Sequence, residues 1–254
     1  MDGQGDREVA RLISTFLWAL QANAPLAVYW IIVLNLQQPD GLKPLITEID
    51  EAVTIWNTTN PTLPLHSQEN VVDFINETNL PLLNSTIQET LRFATSVMSI
   101  RAVMEPTELG GYTFTQGDEV VCSARTVHLD PEVHERPNEY IPTRYMTPKK
   151  FAKNGKPVMN HTMAFGGGVS MCGGRYETEN NQSHPCILTR FFSFSQRHFA
   201  QKELKALLAL LLMKYTIEAD PTSTERPVFL EERMGVGIMH PKGDIRVIVH
   251  RREL

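Results

Sequence analysis

An uncharged stretch from Leu12 to Leu36 restricts the folds open to this chain more than any other feature. A helix that is apolar on every side is stable only across a membrane or in the core of a large protein. The stretch is long enough to span a bilayer. Its centre carries Gln21, Asn23 and Pro25, and in lipid the polar side chains would bear their full desolvation cost. We therefore expect a buried core helix, with a membrane span as the alternative.

Composition narrows the class of protein further. The chain has 254 residues, of which 42% are hydrophobic, and this is enough for a sizeable core in one large or two small domains. A net charge of −5 gives no sign of a nucleic-acid partner. The three cysteines, Cys122, Cys172 and Cys186, are odd in number and lack C-x-x-C spacing, which argues against a disulfide framework.

A glycine-rich loop brings one cysteine to the start of a predicted helix, in the run FGGGVSMCGGR over residues 165–175. Glycines let the backbone approach a flat, bulky partner closely. Backbone N–H groups at a helix N-terminus stabilise the thiolate form of a cysteine. A single protein thiolate bound to a haem iron fits this pattern. A glycine-rich turn with an inert, buried cysteine is the alternative.

Two further motifs carry charged residues. In the run ETLR, Glu89 and Arg92 are spaced so that a helix places the carboxylate and the guanidinium on one face, where they can pair. Downstream, residues 137–145 read PNEYIPTRY and include Arg144. By itself an E-x-x-R pair is most often a solvated surface pair, since such ion pairs are frequent and weak.

In this order, the motifs resemble the signatures of the cytochrome P450 family. The cysteine loop is similar to the family's haem-binding signature F-x-x-G-x-x-x-C-x-G, matched here by Phe165, Gly168, Cys172 and Gly174. The resemblance implies a mainly α fold with a small β-sheet, a haem b cofactor held by these residues, and Cys172 as the axial thiolate ligand of its iron.

The resemblance also implies roles for several basic residues. Arg144 is expected to join Glu89 and Arg92 in a structural Glu-Arg-Arg cluster. Arg101 lies where family members often offer an arginine to a haem propionate, and a surface arginine is the equal alternative. Ser170 stands where the family often has a basic propionate partner, and a hydroxyl supplies only a weaker, neutral hydrogen bond.

The uncharged stretch resembles the family's helix I, which crosses the oxygen-binding face of the haem. Most oxygen-activating members carry an acid and then a threonine at its middle, where this chain has Asn23 and Ala24, the predicted catalytic pair. The neighbouring residues resemble the sterol hydroxylase and prostacyclin synthase branch. Asparagine can hold a water but cannot act as an acid, so monooxygenation and peroxide isomerisation both stay open. A helix kink at Pro25 is the structural alternative.

The chain departs from the family pattern after the cysteine. Joining Arg175 to His198 restores that pattern without a gap, so residues 176–197 are predicted to be a non-family insert. Its codon possibilities suggest a retained intron, and a genuine loop is the alternative. Because the resemblance begins at helix I, residues 1–254 are predicted to form one partial domain, the C-terminal half of the family's fold.

By resemblance, the intact protein is a monooxygenase that hydroxylates a lipophilic, steroid-like or terpenoid-like substrate of sterol or secondary metabolism. It is expected to use O2 and electrons from NADPH–cytochrome P450 reductase at the endoplasmic reticulum membrane, although no anchor or signal is found in this chain. A peroxide isomerase that needs no electron donor is one alternative. A fragment without catalytic activity is the other, and we expect the activity of this truncated chain to be impaired.

Overall fold

The computed structural model describes residues 3–62, 65, 70–167, 172, 199–235 and 237–253. Most of the regular structure in this part of the chain is helical, which confirms the predicted mainly α architecture with small β elements. The helices are α1 (Gly3–Ala22), α2 (Ala24–Leu36), α3 (Lys43–Thr59), α4 (Val71–Glu77), α5 (Pro81–Ala94), α6 (Ala124–His128) and α7 (Phe199–Lys214).

The strands are short and pair two by two in antiparallel fashion. They are β1 (Met98–Ala102), β2 (Thr107–Leu109), β3 (Tyr112–Phe114), β4 (Glu119–Ser123), β5 (Ala152–Lys153), β6 (Lys156–Pro157), β7 (Tyr215–Ala219), β8 (Val228–Phe229), β9 (Pro241–Lys242) and β10 (Val247–Arg251). The pairs are β1–β4, β2–β3, β5–β6, β7–β10 and β8–β9. Gly110 and Gly111 form the tight turn between β2 and β3, with φ of 61° and 84°, a backbone conformation that favours glycine.

The core forms where α2 packs against α5 and α7, and where α7 also contacts α3 and α4. Helix α2 is apolar on nearly every side, so it is stable only when other elements surround it. Its residues Trp30, Ile31 and Val33 are almost completely buried. Helix α7 contributes Leu208 and Leu212, which are also fully buried. The strong apolar patterns of these two helices therefore define the centre of the fold.

The uncharged stretch does not form one continuous helix, contrary to the expectation for residues 12–36. Helix α1 ends at Ala22 and α2 begins at Ala24, with Asn23 between them. Pro25 lies in the first turn of α2, where its missing N–H leaves nothing to bond the carbonyl of Gln21 and its ring opposes helix continuation. The predicted core helix is therefore corrected to its second part, and the structure places a helix break beside Pro25.

Helix α1 differs from α2 in its surroundings. Five of its large apolar side chains are more than half exposed: Val9, Leu12, Ile13, Leu17 and Trp18. Among the described residues, no helix is both long and apolar enough to cross a membrane.

Candidate functional site

A buried ionic cluster joins α5 to the segment that follows α6. The Glu89 carboxylate accepts two hydrogen bonds from Arg92, at 2.8 Å from both Nε and Nη2. It also accepts one from Nε of Arg144 at 2.8 Å and one from the backbone N–H of Ile141 at 2.9 Å. Glu89 and Arg92 are 0% exposed and Arg144 is 4% exposed. The predicted Glu-Arg-Arg grouping is therefore present, and it is a core feature rather than a surface pair.

Arg92 uses all of its N–H groups. Besides the two bonds to Glu89, its Nη atoms donate to the backbone carbonyls of His128 at 2.7 Å, Pro137 at 2.8 Å and Glu139 at 3.1 Å. A guanidinium has five N–H donors, so none is left unsatisfied. Two cations against one carboxylate leave a net positive charge, and these carbonyl dipoles offset its burial. The cluster thereby fixes the backbone of residues 128–139.

His128 connects the ionic cluster to the loop that precedes the cysteine. Its Nε2 accepts a hydrogen bond from the backbone N–H of Met163 at 2.8 Å, so Nε2 is unprotonated and the ring is neutral. The side chain is fully buried. Burial and the nearby Arg92, His134 and Arg125 lower the pKa of His128 to about 3. The neutral acceptor is therefore the stable form throughout the physiological pH range.

A second histidine supports the same loop. Nε2 of His134 lies 2.9 Å from the carbonyl oxygen of His161, and this contact requires a protonated Nε2 that donates. The His161 ring stacks on Phe151 with centroids 3.8 Å apart and planes 9° apart. Burial, with Arg92 and Arg144 nearby, lowers the pKa of His134 to about 4. Neutral histidines thus hold residues 161–163 from two sides.

Cys172 is joined to this supported loop by its backbone. Its N–H donates to the carbonyl of Phe165 at 2.8 Å, and its side chain is exposed. Gly166 has a φ of +78°, and a Cβ on Gly167 would lie 2.9 Å from Cε of Met163. Phe165 packs against the hydrophobic core. The loop therefore turns tightly, anchors its aromatic side chain inward and presents one thiol outward.

Of the other predicted cofactor-binding residues, the structure describes Arg101. Arg101 is exposed on β1, and its Nη1 donates to the carbonyl of its neighbour Ile100. Gly168 and Gly174 lie outside the described residues, as do Ser170 and the predicted insert at 176–197.

The predicted catalytic pair lies at the break between α1 and α2. Ala24 is 8% exposed and begins α2. Asn23 has its side-chain oxygen 3.0 Å from the backbone nitrogen of Ile238, near the C-terminal strands. This contact joins residues that are 215 positions apart in the sequence. Motif spacing alone gave no signal for it.

Sequence reasoning missed His134 and Tyr140 as parts of the buried network. The Tyr140 hydroxyl contacts Oγ1 of Thr90 at 2.9 Å and Nδ2 of Asn35 at 3.1 Å. Burial raises the pKa of Tyr140. The sequence around both residues is mostly polar and carried no signal that these two side chains would be buried.

Comparison with known sequences decides the family. A sequence model described as Cytochrome P450 matches residues 2–178, which is more than half of the chain. The chain belongs to the cytochrome P450 family. The relatives include cholesterol 7-alpha-monooxygenase of Cricetulus griseus, 29% identical over 94% of this chain and 44% of the relative. Cytochrome P450 7B1 of Mus musculus is 30% identical over 93% of this chain and 43% of the relative.

Prostacyclin synthase of Rattus norvegicus is also similar, at 25% identity over 94% of this chain and 44% of the relative. The chain thus spans less than half the length of these cytochromes P450. Among solved structures, a zebra fish cytochrome P450 crystallised with abiraterone has a TM-score of 0.58 and 19% identity. The match covers 90% of this chain and 43% of the zebra fish chain. This likeness shows the fold alone and agrees with a partial cytochrome P450 fold.

The described residues fit a haem-thiolate group in two respects. Cys172 carries one free, exposed thiol, the kind of group that ligates a cytochrome P450 haem iron. A Cβ on Gly167 would lie 2.9 Å from Cε of Met163, and Gly166 has a φ of +78°, so both positions suit glycine and keep the backbone beside the thiol free of side chains.

Proposed function

We propose that this chain is part of a haem-thiolate monooxygenase that hydroxylates a sterol-like substrate. The observation that carries the proposal is the Cys172 loop: the cysteine has an exposed side chain, its backbone N–H donates to the Phe165 carbonyl, and His128 supports the loop from the core. When bound, haem supplies the oxygen chemistry. The similarity to cholesterol 7-alpha-monooxygenase favours a sterol among lipophilic substrates.

In this proposal the residues of the chain bind and orient the cofactor. Cys172 is the axial thiolate, and Phe165 packs beside it. Gly168 and Gly174 complete the cysteine loop, and Arg101 pairs with a propionate. Hydrogen bonds donated to a thiolate favour its charged form, so a rigid loop backbone lowers the cost of ligation.

The glutamate cluster acts at a distance in this arrangement. Arg92 fixes the carbonyl of His128, and the His128 ring fixes the N–H of Met163. Two residues later, the Phe165 carbonyl fixes Cys172. A continuous series of short hydrogen bonds therefore links α5 to the proposed ligand. Glu89, Arg92 and Arg144 are accordingly proposed as positioning residues.

The proposed partners follow from the relatives. A monooxygenase of this kind takes electrons from a redox partner, and we propose NADPH–cytochrome P450 reductase at the endoplasmic reticulum. The proposed site for the substrate is the region of Asn23 and Ala24. Ala24 has no polar side-chain atom, so any hydrogen bond to a substrate there comes from Asn23 or from water.

The test is the reduced, carbon-monoxide difference spectrum of the purified chain after haem is supplied. We expect a thiolate-type Soret band in the wild type, its loss in Cys172→Ser, and its retention in Cys122→Ser. Cys122 is a matched control because it is also exposed, on β4. A thiolate band in Cys172→Ser, or none in the wild type, would overturn the proposed ligation and favour a fragment without catalytic activity.

A haem-thiolate isomerase of peroxides is the second candidate. The observation that favours it is the Asn23–Ala24 pair together with the similarity to prostacyclin synthase. Neither side chain can act as a general acid. Isomerisation of a peroxide needs no external electrons. Turnover of a lipid peroxide without NADPH or reductase would favour the isomerase. Strict dependence on both would favour the monooxygenase.

We further propose that residues 176–197 interrupt the family's cysteine helix. The match to the cytochrome P450 sequence model ends at residue 178, which supports an interruption beginning near Tyr176. A retained intron would account for the ends of the segment, and sequencing the transcript would show whether a spliced form joins Arg175 to His198.

A further inference from the structure

The residues 237–239, here called the clamped segment, are held between three other elements. The carbonyl of Gly237 accepts from the backbone N–H of Ser96 at 2.9 Å, and the N–H of Met239 donates to the Ala94 carbonyl at 2.8 Å. These bonds fasten the segment to the end of α5. Thr95 and Ile238 also form an antiparallel bridge.

The opposite side of the clamped segment is held by α2 and the residue before it. Nε1 of Trp30 donates to the Met239 carbonyl at 2.6 Å. The N–H of Ile238 donates to Oδ1 of Asn23 at 3.0 Å. Ile238 and Met239 are 6% and 1% exposed. The segment is therefore fixed by hydrogen bonds on both sides and by burial.

The side chain of Asn23 is committed to this contact. Asn23 occupies the N-cap position of α2, yet its side chain makes no capping hydrogen bond to that helix. A residue of this type normally caps, because its oxygen satisfies an orphan N–H in the first turn. Here the oxygen instead reaches a backbone N–H distant in sequence. Since the N–H of Ile238 can only donate, the atom facing it is the oxygen of the amide.

Gly237 leaves the space that the contact needs. A Cβ built on Gly237 would lie 2.1 Å from Oδ1 of Asn23, and the residue has a φ of +86°. Any side chain at position 237 would therefore collide with the Asn23 amide, in addition to straining the backbone. The pairing of Asn23 with Gly237 is specific in shape as well as in hydrogen bonding.

We propose that Asn23 is a positioning residue whose amide oxygen fixes the clamped segment across the α1–α2 break, so that mainly its N–H2 group is left to face a bound molecule. The inference rests on the proposed function and deepens it. With one oxygen lone pair occupied, Asn23 offers two N–H donors and one remaining acceptor position to a substrate oxygen or to water. The substrate group best matched there is accordingly an acceptor, such as a hydroxyl, carbonyl or peroxide oxygen.

Met239 is held from a third direction. Nη1 of Arg125 lies 3.7 Å from Sδ of Met239 and donates to the Phe93 carbonyl at 3.2 Å. Burial lowers the pKa of Arg125, and the nearby Arg92 acts in the same direction while Glu231 opposes it. The clamped segment therefore contacts the elements that surround the buried ionic cluster, and its position is set by the core.

The first experiment needs no haem. In the full-length chain, amide hydrogen exchange of Ile238 is compared among wild type, Asn23→Asp and Asn23→Ala, with the Ser96 amide as internal reference. An aspartate oxygen accepts the same hydrogen bond, so we expect Asn23→Asp to keep the protection and Asn23→Ala to lose about tenfold or more relative to Ser96. Equal protection in all three proteins would overturn the clamp.

The second experiment tests shape by a double-mutant cycle. Gly237→Ala is introduced into wild type and into Asn23→Ala, and the unfolding equilibrium constant is measured by urea denaturation. The collision exists only while Asn23 keeps its amide, so we expect Gly237→Ala to raise that constant about tenfold more in wild type. Equal effects in both backgrounds would show that Gly237 reports backbone strain alone and would overturn the contact.

The third experiment uses the haem-loaded chain and separates this inference from the proposed function. A sterol that bears a hydroxyl near the iron is titrated by its Soret shift into wild type and Asn23→Asp. Loss of the N–H2 donors predicts about tenfold weaker binding in Asn23→Asp, although its Ile238 amide stays protected. Unchanged sterol binding in Asn23→Asp would overturn the donor role. A wild type that shows no thiolate band would instead contradict the proposed function, while the exchange data would still decide the clamp.

Discussion

Glu89 is the residue on which the buried cluster depends. Its carboxylate is the sole acidic side chain bonded to Arg92 and Arg144 among the described residues, and both guanidinium groups are nearly inaccessible to water. Buried charges are tolerated when they are paired, and removing one partner leaves the others uncompensated. Loss of Glu89 is therefore expected to lower the free energy of unfolding far more than loss of a surface carboxylate would.

We expect Glu89→Ala to lower the free energy of unfolding by about 3–5 kcal/mol, measured by urea denaturation at neutral pH. The matched control is Glu139→Ala, since Glu139 also pairs with an arginine in i,i+3 spacing but is 57% exposed with its partner Arg136. That variant is expected to lose at most about 1 kcal/mol. Comparable losses in the two variants would contradict the assigned burial of the cluster.

The two buried histidines make the stability of the fold depend on pH. Burial lowers the pKa of His128 to about 3 and of His134 to about 4, both below the ordinary value of about 6.5. In the unfolded chain the rings take up protons as the pH falls below 6.5, while in the folded chain they stay neutral. The unfolded state then binds more protons, so folding is favoured at neutral pH and weakens on acidification.

We expect His134→Phe to flatten this pH dependence. Between pH 7 and pH 5, each buried histidine should lower the free energy of unfolding by about 2 kcal/mol. Phenylalanine keeps an aromatic ring and does not titrate, so the variant should lose about half of the combined effect of His128 and His134. Urea denaturation at the two pH values is the measurement. His250→Phe, on exposed β10, is the control, and a similar flattening in that protein would contradict the assignment to His134.

Helix α5 depends on a cap supplied by a different helix. Its N-cap residue, Leu80, has no side chain that can accept a hydrogen bond. Glu48 of α3 instead accepts from the backbone N–H of Leu82 at 2.7 Å and of Leu83 at 2.8 Å. Pro81 needs no acceptor because it lacks an N–H. The carboxylate also interacts favourably with the positive end of the helix dipole, so α3 sets where α5 begins.

We expect Glu48→Ala to lower the free energy of unfolding by about 1–2 kcal/mol, because two N–H groups of α5 lose their acceptor. Glu51→Ala is the control, since Glu51 lies on the same helix and is exposed. Its effect should stay within about 0.5 kcal/mol. Thermal and urea denaturation of both variants test this expectation, and a larger effect of Glu51→Ala would show that α3 propensity, not capping of α5, dominates.

At the scale of the whole molecule, α7 is docked in the core while the proposed ligand lies in a separate loop. Helix α7 begins at Phe199 and buries Leu204, Leu208 and Leu212. The predicted insert lies between it and Cys172. A long connection costs little free energy beyond a short one, so α7 can pack without bringing the cysteine loop into a fixed place. Without residues 176–197, the shorter connection would couple the position of the cysteine loop to that of α7.

We expect a chain lacking residues 176–197 to bind haem better than the chain with them. In the shortened chain we expect a helix that starts at Cys172 to run directly into α7, so that its continuing turns orient the N–H groups that stabilise the thiolate. Haem retention after gel filtration and the intensity of the thiolate Soret band measure the effect. Equal retention by both chains would contradict a disruptive insert.

Several parts of this structure were predictable because they depend on local pattern. The apolar period of α3 and α7 and the E-x-x-R spacing of Glu89 and Arg92 each specify a helix face, since helical side chains repeat every 3.6 residues. The order of the motifs identified the family. The family match does not depend on any contact in the fold.

Long-range partners were not predictable, because a sequence does not say which distant backbone groups will meet. The sequence by itself marked Pro25 as a place where the helix could kink, since the ring removes a donor wherever the helix lies, but it did not decide between a kink and one continuous core helix. Only the tertiary structure decided that α2 enters the core while α1 stays exposed, and that Asn23 bonds the N–H of Ile238. Burial and hydrogen-bond partners depend on the elements that pack nearby, and these come from remote parts of the chain.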